Sequence, residues 1–310
     1  MSNSRFAAEA TDLVKIFDGK RAVDGVSLAV PEGAIFGILG PNGAGKTTTI
    51  RTMLGIIDPD MGHRTLLGHA SPLEVAHDVG YLPEERGLYR AMSAKEAIAF
   101  MGALRNLPIA EGRRRAPELL ARHGLEEWVD KPIKSLSKGM AQIVQLLGTI
   151  VHEPKLIVLD EPFSGLDAIN QGKLEELIRA QAARGATIIF STHVIAHAER
   201  LCEQVAIIAK GKVAFAGAVD EARGRLNQVV RLRTRAPDGP WRAALPAGAT
   251  PDSANNFTFE LPASGPEPLL KALVEGGAGI ETLSIERPGL HDAFVAIAGK
   301  AAADEMEQGR

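Results

Sequence analysis

Residues 40–47 read Gly-Pro-Asn-Gly-Ala-Gly-Lys-Thr, between an apolar run, Ala34–Leu39, and a helical stretch, Thr47–Leu54. This is the spacing G-x-x-x-x-G-K-[ST]. Backbone N–H groups in such a loop converge on phosphate oxygens, and the glycines give the required φ and allow close approach. The helix that follows adds its positive N-terminal end. The expected phosphate-binding set is Gly40, Pro41, Asn42, Gly43, Ala44, Gly45, Lys46, Thr47 and Thr48. Lys46 is expected to neutralise β- and γ-phosphates, and the Thr47 hydroxyl to hold Mg²⁺. A chance match occurs in on the order of one in a hundred chains this long, so the flanking strand and helix decide the reading. The ligand expected is a nucleoside triphosphate, and the fold a strand–loop–helix unit within an α/β sheet.

The rest of the chain agrees with that frame. Residues 8–16 and 20–30 read as strands, and apolar runs of strand length recur at Leu156–Leu159, Ala186–Phe190 and Val205–Ala209. Helical patterns at Lys173–Ala183 and Val194–Cys202 lie between them. Strands alternating with helices predict a largely parallel sheet. From Met92 to Val151 the strand signal fades, which predicts a mostly helical subdomain over about 92–151. Leu156–Leu159 ends in Asp160 and Glu161. A buried strand ending there delivers Asp160 toward the phosphate loop, where it can hold Mg²⁺, and leaves Glu161 to polarise an attacking water.

Composition sets outer limits. The chain has 310 residues, 45% hydrophobic and 24% charged, enough for a large core. A net charge of −3 gives no field that would mark a nucleic-acid partner. Cys202 is the single cysteine, which excludes an internal disulfide and a multi-cysteine zinc site and fits a reducing compartment. No signal-peptide pattern is expected at the N-terminus, and no uncharged apolar run approaches the roughly 18–20 residues of a membrane span. Composition shifts after about Leu226. Strands at Val229–Arg233, Phe257–Leu261 and Ile280–Glu286 and helices at Glu267–Glu275 and Leu290–Ile297 predict a small α+β domain over 226–300. Residues 236–254 show no period, and 301–310 read as a frayed polar tail.

Three further segments carry a family resemblance. Ser135-Leu-Ser-Lys-Gly-Met140 resembles the L-S-G-G-Q signature of ABC ATPases, with Lys and Met in place of Gly and Gln. Ser164-Gly-Leu-Asp167 resembles their D-loop and Ser191-Thr-His193 their H-loop, in the family's order. The resemblance covers about residues 8–220 and implies a P-loop ABC ATPase core, with an antiparallel β subdomain and a helical subdomain, over residues 1–225. It implies that Ser137, Lys138 and Gly139 face ATP held by a second, opposed ATPase subunit, although Ser137 also reads as a simple helix N-cap. It implies that His193 contacts the γ-phosphate and partners Glu161, that Asp167 joins the two active sites, and that Phe17 stacks on adenine with Val23 lining the pocket. Tyr81–Tyr89 and Asp160–Asp167 are similar to the sodium-efflux and drug-resistance branch, whose ATPases work with separate ABC-2 type permeases. The resemblance thus implies an ATP-hydrolysing subunit that powers export, paired with a second copy as a homodimer, on the cytoplasmic face of a membrane. The alternative is a soluble ABC ATPase outside transport. One departure is Glu84 after Leu82-Pro83, where the family places Gln. Glu keeps the length and an acceptor and adds charge, so Glu84 rather than Glu85 is expected at the metal.

Overall fold

A computed structural model describes residues 6–85, 87–235, 238–246, 249–253 and 255–308. In chain order the first elements are β1 (Phe6–Phe17), β2 (Lys20–Pro31), β3 (Ile35–Leu39), α1 (Lys46–Met53), β4 (Met61–Leu66) and β5 (Val79–Leu82). Three helices follow, α2 (Ala94–Ala103), α3 (Ile109–Arg122) and α4 (Lys138–Ile150). Then come β6 (Leu156–Leu159), α5 (Ala168–Ala183), β7 (Thr187–Thr192), α6 (Ile195–Leu201), β8 (Gln204–Ala209) and β9 (Lys212–Ala218).

Two sheets result. β2, β1 and β4 form an antiparallel sheet with β1 central. The larger sheet runs β5-β6-β7-β3-β8-β9. Its pairs are parallel as far as β8, and β8–β9 is antiparallel. β3, β6 and β7 are buried along their whole length, which is why their sequences are unbroken apolar runs. A cluster including Phe36, Ile38, Ile50 and Val158 joins the two sheets through α1.

Ser93 caps α2 and Ser137 caps α4, each side chain accepting from the backbone N–H three residues on. α4 is buried from Gln142 to Ile150, because its apolar residues cover most of its circumference. The basic triplet Arg113–Arg115 on α3 forms partly exposed ion pairs. Arg113 pairs with Glu96, Arg114 with Glu111, and Arg115 reaches Glu111 and the Val151 carbonyl.

The chain divides into two compact units, one running to Val219 and taking in Ile297 onward, the other Asp220–Ala296. The remaining elements in chain order are α7 (Val219–Arg223), β10 (Val229–Thr234), β11 (Thr250–Ser253), β12 (Asn256–Glu260), α8 (Pro266–Glu275), β13 (Ile280–Glu286), α9 (Leu290–Ala298) and α10 (Lys300–Gln308), the last of which lies in the first unit. The second unit has one antiparallel sheet, β11-β12-β10-β13. Val230, Leu232, Phe257, Phe259 and the α8 residues Leu269 and Leu273 pack around Trp241, whose ring meets Phe257 edge-on at 5.3 Å. The stretch without sequence period holds the 3₁₀ turn Pro240–Ala244 and β11; residues 236, 237, 247, 248 and 254 lie outside the described set.

The end of the chain corrects an expectation. The tail read as frayed forms α10, with Ala303 and Met306 buried. Its Ala-rich composition favours helix, and those two residues lie three apart on one face. Residues 309 and 310 lie outside the described set. Among the described residues no helix is long and apolar enough to cross a membrane.

Candidate active site

β3 delivers the chain into the glycine loop, and α1 carries it away. Gly43 and Gly45 have φ of 76° and 103°, values that side chains rarely adopt. A Cβ on Gly45 would also collide with the Ala22 carbonyl, and one on Gly40 with the Ile208 carbonyl. Gly45 caps α1 and offers no side-chain acceptor, so the N–H groups of the first turn have no capping side chain. The loop borders a cleft of about 310 Å³, lined by residues 42–48 together with Ala22, Glu84 and Glu161. Gly40 and Pro41 lie behind this lining. Their carbonyls accept hydrogen bonds from Lys46 Nζ at 2.8 and 3.2 Å.

At the end of β6, Asp160 is wholly buried. Its Oδ1 accepts from the hydroxyls of Thr47 at 3.0 Å and Ser191 at 2.6 Å, while Oδ2 has no hydrogen-bond partner. Burial and the Glu161 charge push its carboxyl above the usual range; the two hydroxyls oppose them and do not prevail. An orphan carboxylate oxygen beside a threonine hydroxyl fits a hard divalent cation that completes its shell with water and phosphate oxygens. Thr47 and Asp160 would hold it.

Glu161 follows with φ of 46°, a left-handed conformation that is costly for a non-glycine residue. Its N–H donates to Ser191 Oγ at 2.9 Å. Its Oε1 lies 3.0 Å from Lys46 Nζ and its Oε2 2.9 Å from His193 Nδ1. Burial raises this carboxyl, but the His193 hydrogen bond and the Lys46 charge outweigh burial and hold it below the usual range. Glu161 is therefore an ionised base with a cation on one oxygen and an imidazole on the other.

Ser191 is one residue that sequence reading did not single out for the site. The parallel register Leu159↔Phe190 sets the ends of β6 and β7 side by side. The next residue on β7 then reaches both acids. Ala22 was also missed. β2 alternates its faces, so Ala22 meets the cleft while Val23 is fully buried in the core. This corrects the expectation that Val23 lines a nucleotide pocket.

The remaining candidates are placed as follows. Phe17 ends β1 and is 45% exposed, with Lys15 Nζ 5.6 Å from its ring centroid. Glu84 lines the phosphate cleft and Glu85 does not. Ser137 and Lys138 are exposed at the start of α4. Gly139 is buried, and a Cβ there would strike the Asn170 side chain. Asp167 caps α5, accepting from the Asn170 backbone and side-chain amides at 2.9 and 2.8 Å.

A strand feeding backbone donors into a helix without a capping side chain, with two strand-end acids opposite, places the protein among the P-loop nucleotide-binding proteins. Comparison narrows the class. Residues 23–164 match the ABC transporter family. An uncharacterized ABC transporter ATP-binding protein, YhaQ of Bacillus subtilis, is 32% identical over 93% of this chain and 97% of its own length. The daunorubicin/doxorubicin resistance ATP-binding protein DrrA of Streptomyces peucetius is 32% identical over 97% of this chain and 95% of its own. The structure of an ATP-binding subunit of an ABC transporter superposes with a TM-score of 0.65 at 33% identity, covering 71% of this chain and 92% of that one. The chain belongs to the ABC transporter ATP-binding proteins, a family of ATPases whose hydrolysis powers transport.

Proposed function

We propose that this chain is the Mg²⁺-dependent ATPase subunit of an exporter, working as a pair of ATPase subunits beneath an ABC-2 type permease on separate polypeptides. The observation that carries the hydrolytic part is Glu161, held between Lys46 and His193 on the wall of the phosphate cleft. Phe17 stacks on adenine from its exposed position at the end of β1. Residues 42–48 and the N-terminus of α1 receive the phosphates. Bound magnesium supplies counter-charge for the phosphate oxygens and favours the leaving group.

The chain's own residues do the rest. Phosphate oxygens in the loop compete with Glu161 for Lys46. As Lys46 turns to them, Glu161 loses a cation partner and becomes a stronger base toward water. His193 keeps the carboxylate oriented through Oε2. Ser191 fixes the backbone of Glu161 and one oxygen of Asp160 together. Catalysis rests on this positioning and on charge neutralisation. Ser137 and Lys138, exposed at the α4 N-terminus, face the ATP of the opposed subunit, and Asp167 links the two sites.

Two observations support the membrane partner. Ile56 and Leu73 are 55% and 78% exposed, and both line a groove of about 250 Å³ with Leu54, Tyr81 and Arg105. An apolar rim of this kind suits a short cytoplasmic helix of a permease. DrrA, similar over nearly the whole chain, is named for drug resistance, and an exporter reading of this chain accords with that name. The test is a gentle-detergent pull-down of the full chain from its native membranes. A polytopic membrane polypeptide lost on Leu73→Glu is expected. Recovery of soluble proteins alone, with no membrane polypeptide, refutes the transport reading.

A further inference from the structure

We propose that His197 is a positioning residue for the Glu161–His193 pair, acting through its ring stacked on Phe163. The proposal rests on the reading of that pair as the hydrolytic centre. The two members sit on different segments. Glu161 begins the turn after β6, and His193 lies in the turn between β7 and α6. Their 2.9 Å contact holds only if both segments keep their relative place.

The segment after Glu161 starts from a strained conformation, φ of 46°. Strain of this kind persists only where the surroundings over-determine it. Phe163, two residues on, is the anchor. It is buried and meets two rings. Phe190 of β7 meets it edge-on, at 5.9 Å and 77°. The His197 imidazole lies flat against it, at 3.9 Å and 8°. His197 stands one helical turn beyond His193 on α6. The stack therefore ties the turn that carries Glu161 to the helix that follows His193.

His197 is itself fixed at its edge. Nδ1 lies 2.9 Å from Arg200 Nη2 and 3.1 Å from Glu175 Oε1. Arg200 Nη2 meets the same Glu175 oxygen at 2.6 Å. A neutral Nδ1 makes one of these bonds at a time, accepting from Arg200 of α6 or donating to Glu175 of α5, and either one holds the ring in the plane that Phe163 needs. Burial holds the imidazole below its usual pKa, so the face presented to Phe163 is the neutral ring. Clamping matters because this side of the pair is not packed solid. A cleft of about 470 Å³ is lined by Glu161, Phe163, His193 and His197. Without the stack, Phe163 has open space to move into.

A pair of substitutions separates the ring from its polar edge. His197→Phe keeps an aromatic face on Phe163 and gives up the contact with Arg200. His197→Gln keeps volume and a polar contact and gives up the ring. Both leave Arg200 paired with Glu175. Steady-state ATPase kinetics of the purified full chain are measured for each, with the parent and Glu161→Gln alongside. Loss of an aromatic pair predicts a kcat roughly 2- to 12-fold lower in His197→Gln, with KM for ATP within about twofold, and near-parental kcat in His197→Phe. The proposal is overturned if His197→Gln turns over normally, if the two variants are equally slow, if His197→Phe is the slower, or if His197→Gln does not fold. Failure of the underlying reading is distinct: the parent would not hydrolyse ATP, or Glu161→Gln would match it.

Discussion

Ser191 bears more on the site than its size suggests, and Ser191→Ala exposes what it does. Its hydroxyl is fully buried, donates to Asp160 Oδ1 at 2.6 Å and accepts from the Glu161 N–H at 2.9 Å. Alanine removes one hydrogen bond to a carboxylate and leaves a buried N–H unpaired. Each effect is worth about 1–3 kcal/mol, and they share one atom, so a total near 2–4 kcal/mol is expected. Asp160 Oδ1 keeps Thr47, which limits the loss on that side. The larger consequence is kinetic. The Glu161 backbone is held at φ of 46° with its N–H on this hydroxyl. Released, it relaxes toward a commoner conformation and carries the carboxylate off the phosphate cleft. Misplacement of about 1 Å can cost a hundredfold in rate, so kcat should fall by roughly 10- to 100-fold. Affinity for ATP should stay within about threefold, since the loop and Phe17 are untouched. Denaturant unfolding and steady-state ATPase assays measure both quantities. Parental turnover in a destabilised Ser191→Ala protein would refute the positioning argument. Parental stability would refute the hydrogen-bond accounting.

Three other outcomes are expected. Phe17→Ala should weaken ATP binding by roughly 5- to 150-fold, the equivalent of about 1–3 kcal/mol of base stacking, with little change in melting temperature because the ring is 45% exposed; fluorescent-nucleotide titration measures it. Burial lowers the His152 pKa from 6.5 to about 4, so the folded state takes up its proton later than the unfolded chain as pH falls. Its contribution is therefore complete above about pH 6.5 and is lost as pH falls toward 4, and thermal melts of His152→Gln should show a shallower decline than the parent over that window. Glu84→Gln should keep basal hydrolysis and shift its Mg²⁺ dependence, while Glu85→Gln, outside the phosphate cleft, should do neither; rate against Mg²⁺ concentration compares them.

What could be read in advance follows the physics of burial. β3, β6 and β7 are covered on both faces, so they announce themselves as apolar runs, and the loop and acids at their ends are legible with them. β4 and β9 are half-exposed, mix charges with apolar residues, and gave no signal strong enough to separate from loop. β11 is four residues long and contains a proline. α10 reads as a polar tail because only its buried Ala303 and Met306 distinguish it from a solvated end. Ala22 and Val23 show a different limit. The strand was evident, but which face met the cleft depends on its phase against β1. Ser191 shows the last. It was legible as part of a motif, yet its bonds to both acids arise from the β6–β7 register, a contact between residues thirty and more apart in sequence.

The most direct test of the account is Glu161→Gln in the full chain, with ATP turnover and ATP binding measured on the same preparation. Gln keeps the shape of the side chain and removes the base. The account predicts turnover lower by roughly 10²- to 10⁴-fold with ATP still bound, and a stable ATP-dependent dimer by light scattering. Near-parental hydrolysis in that variant would contradict it.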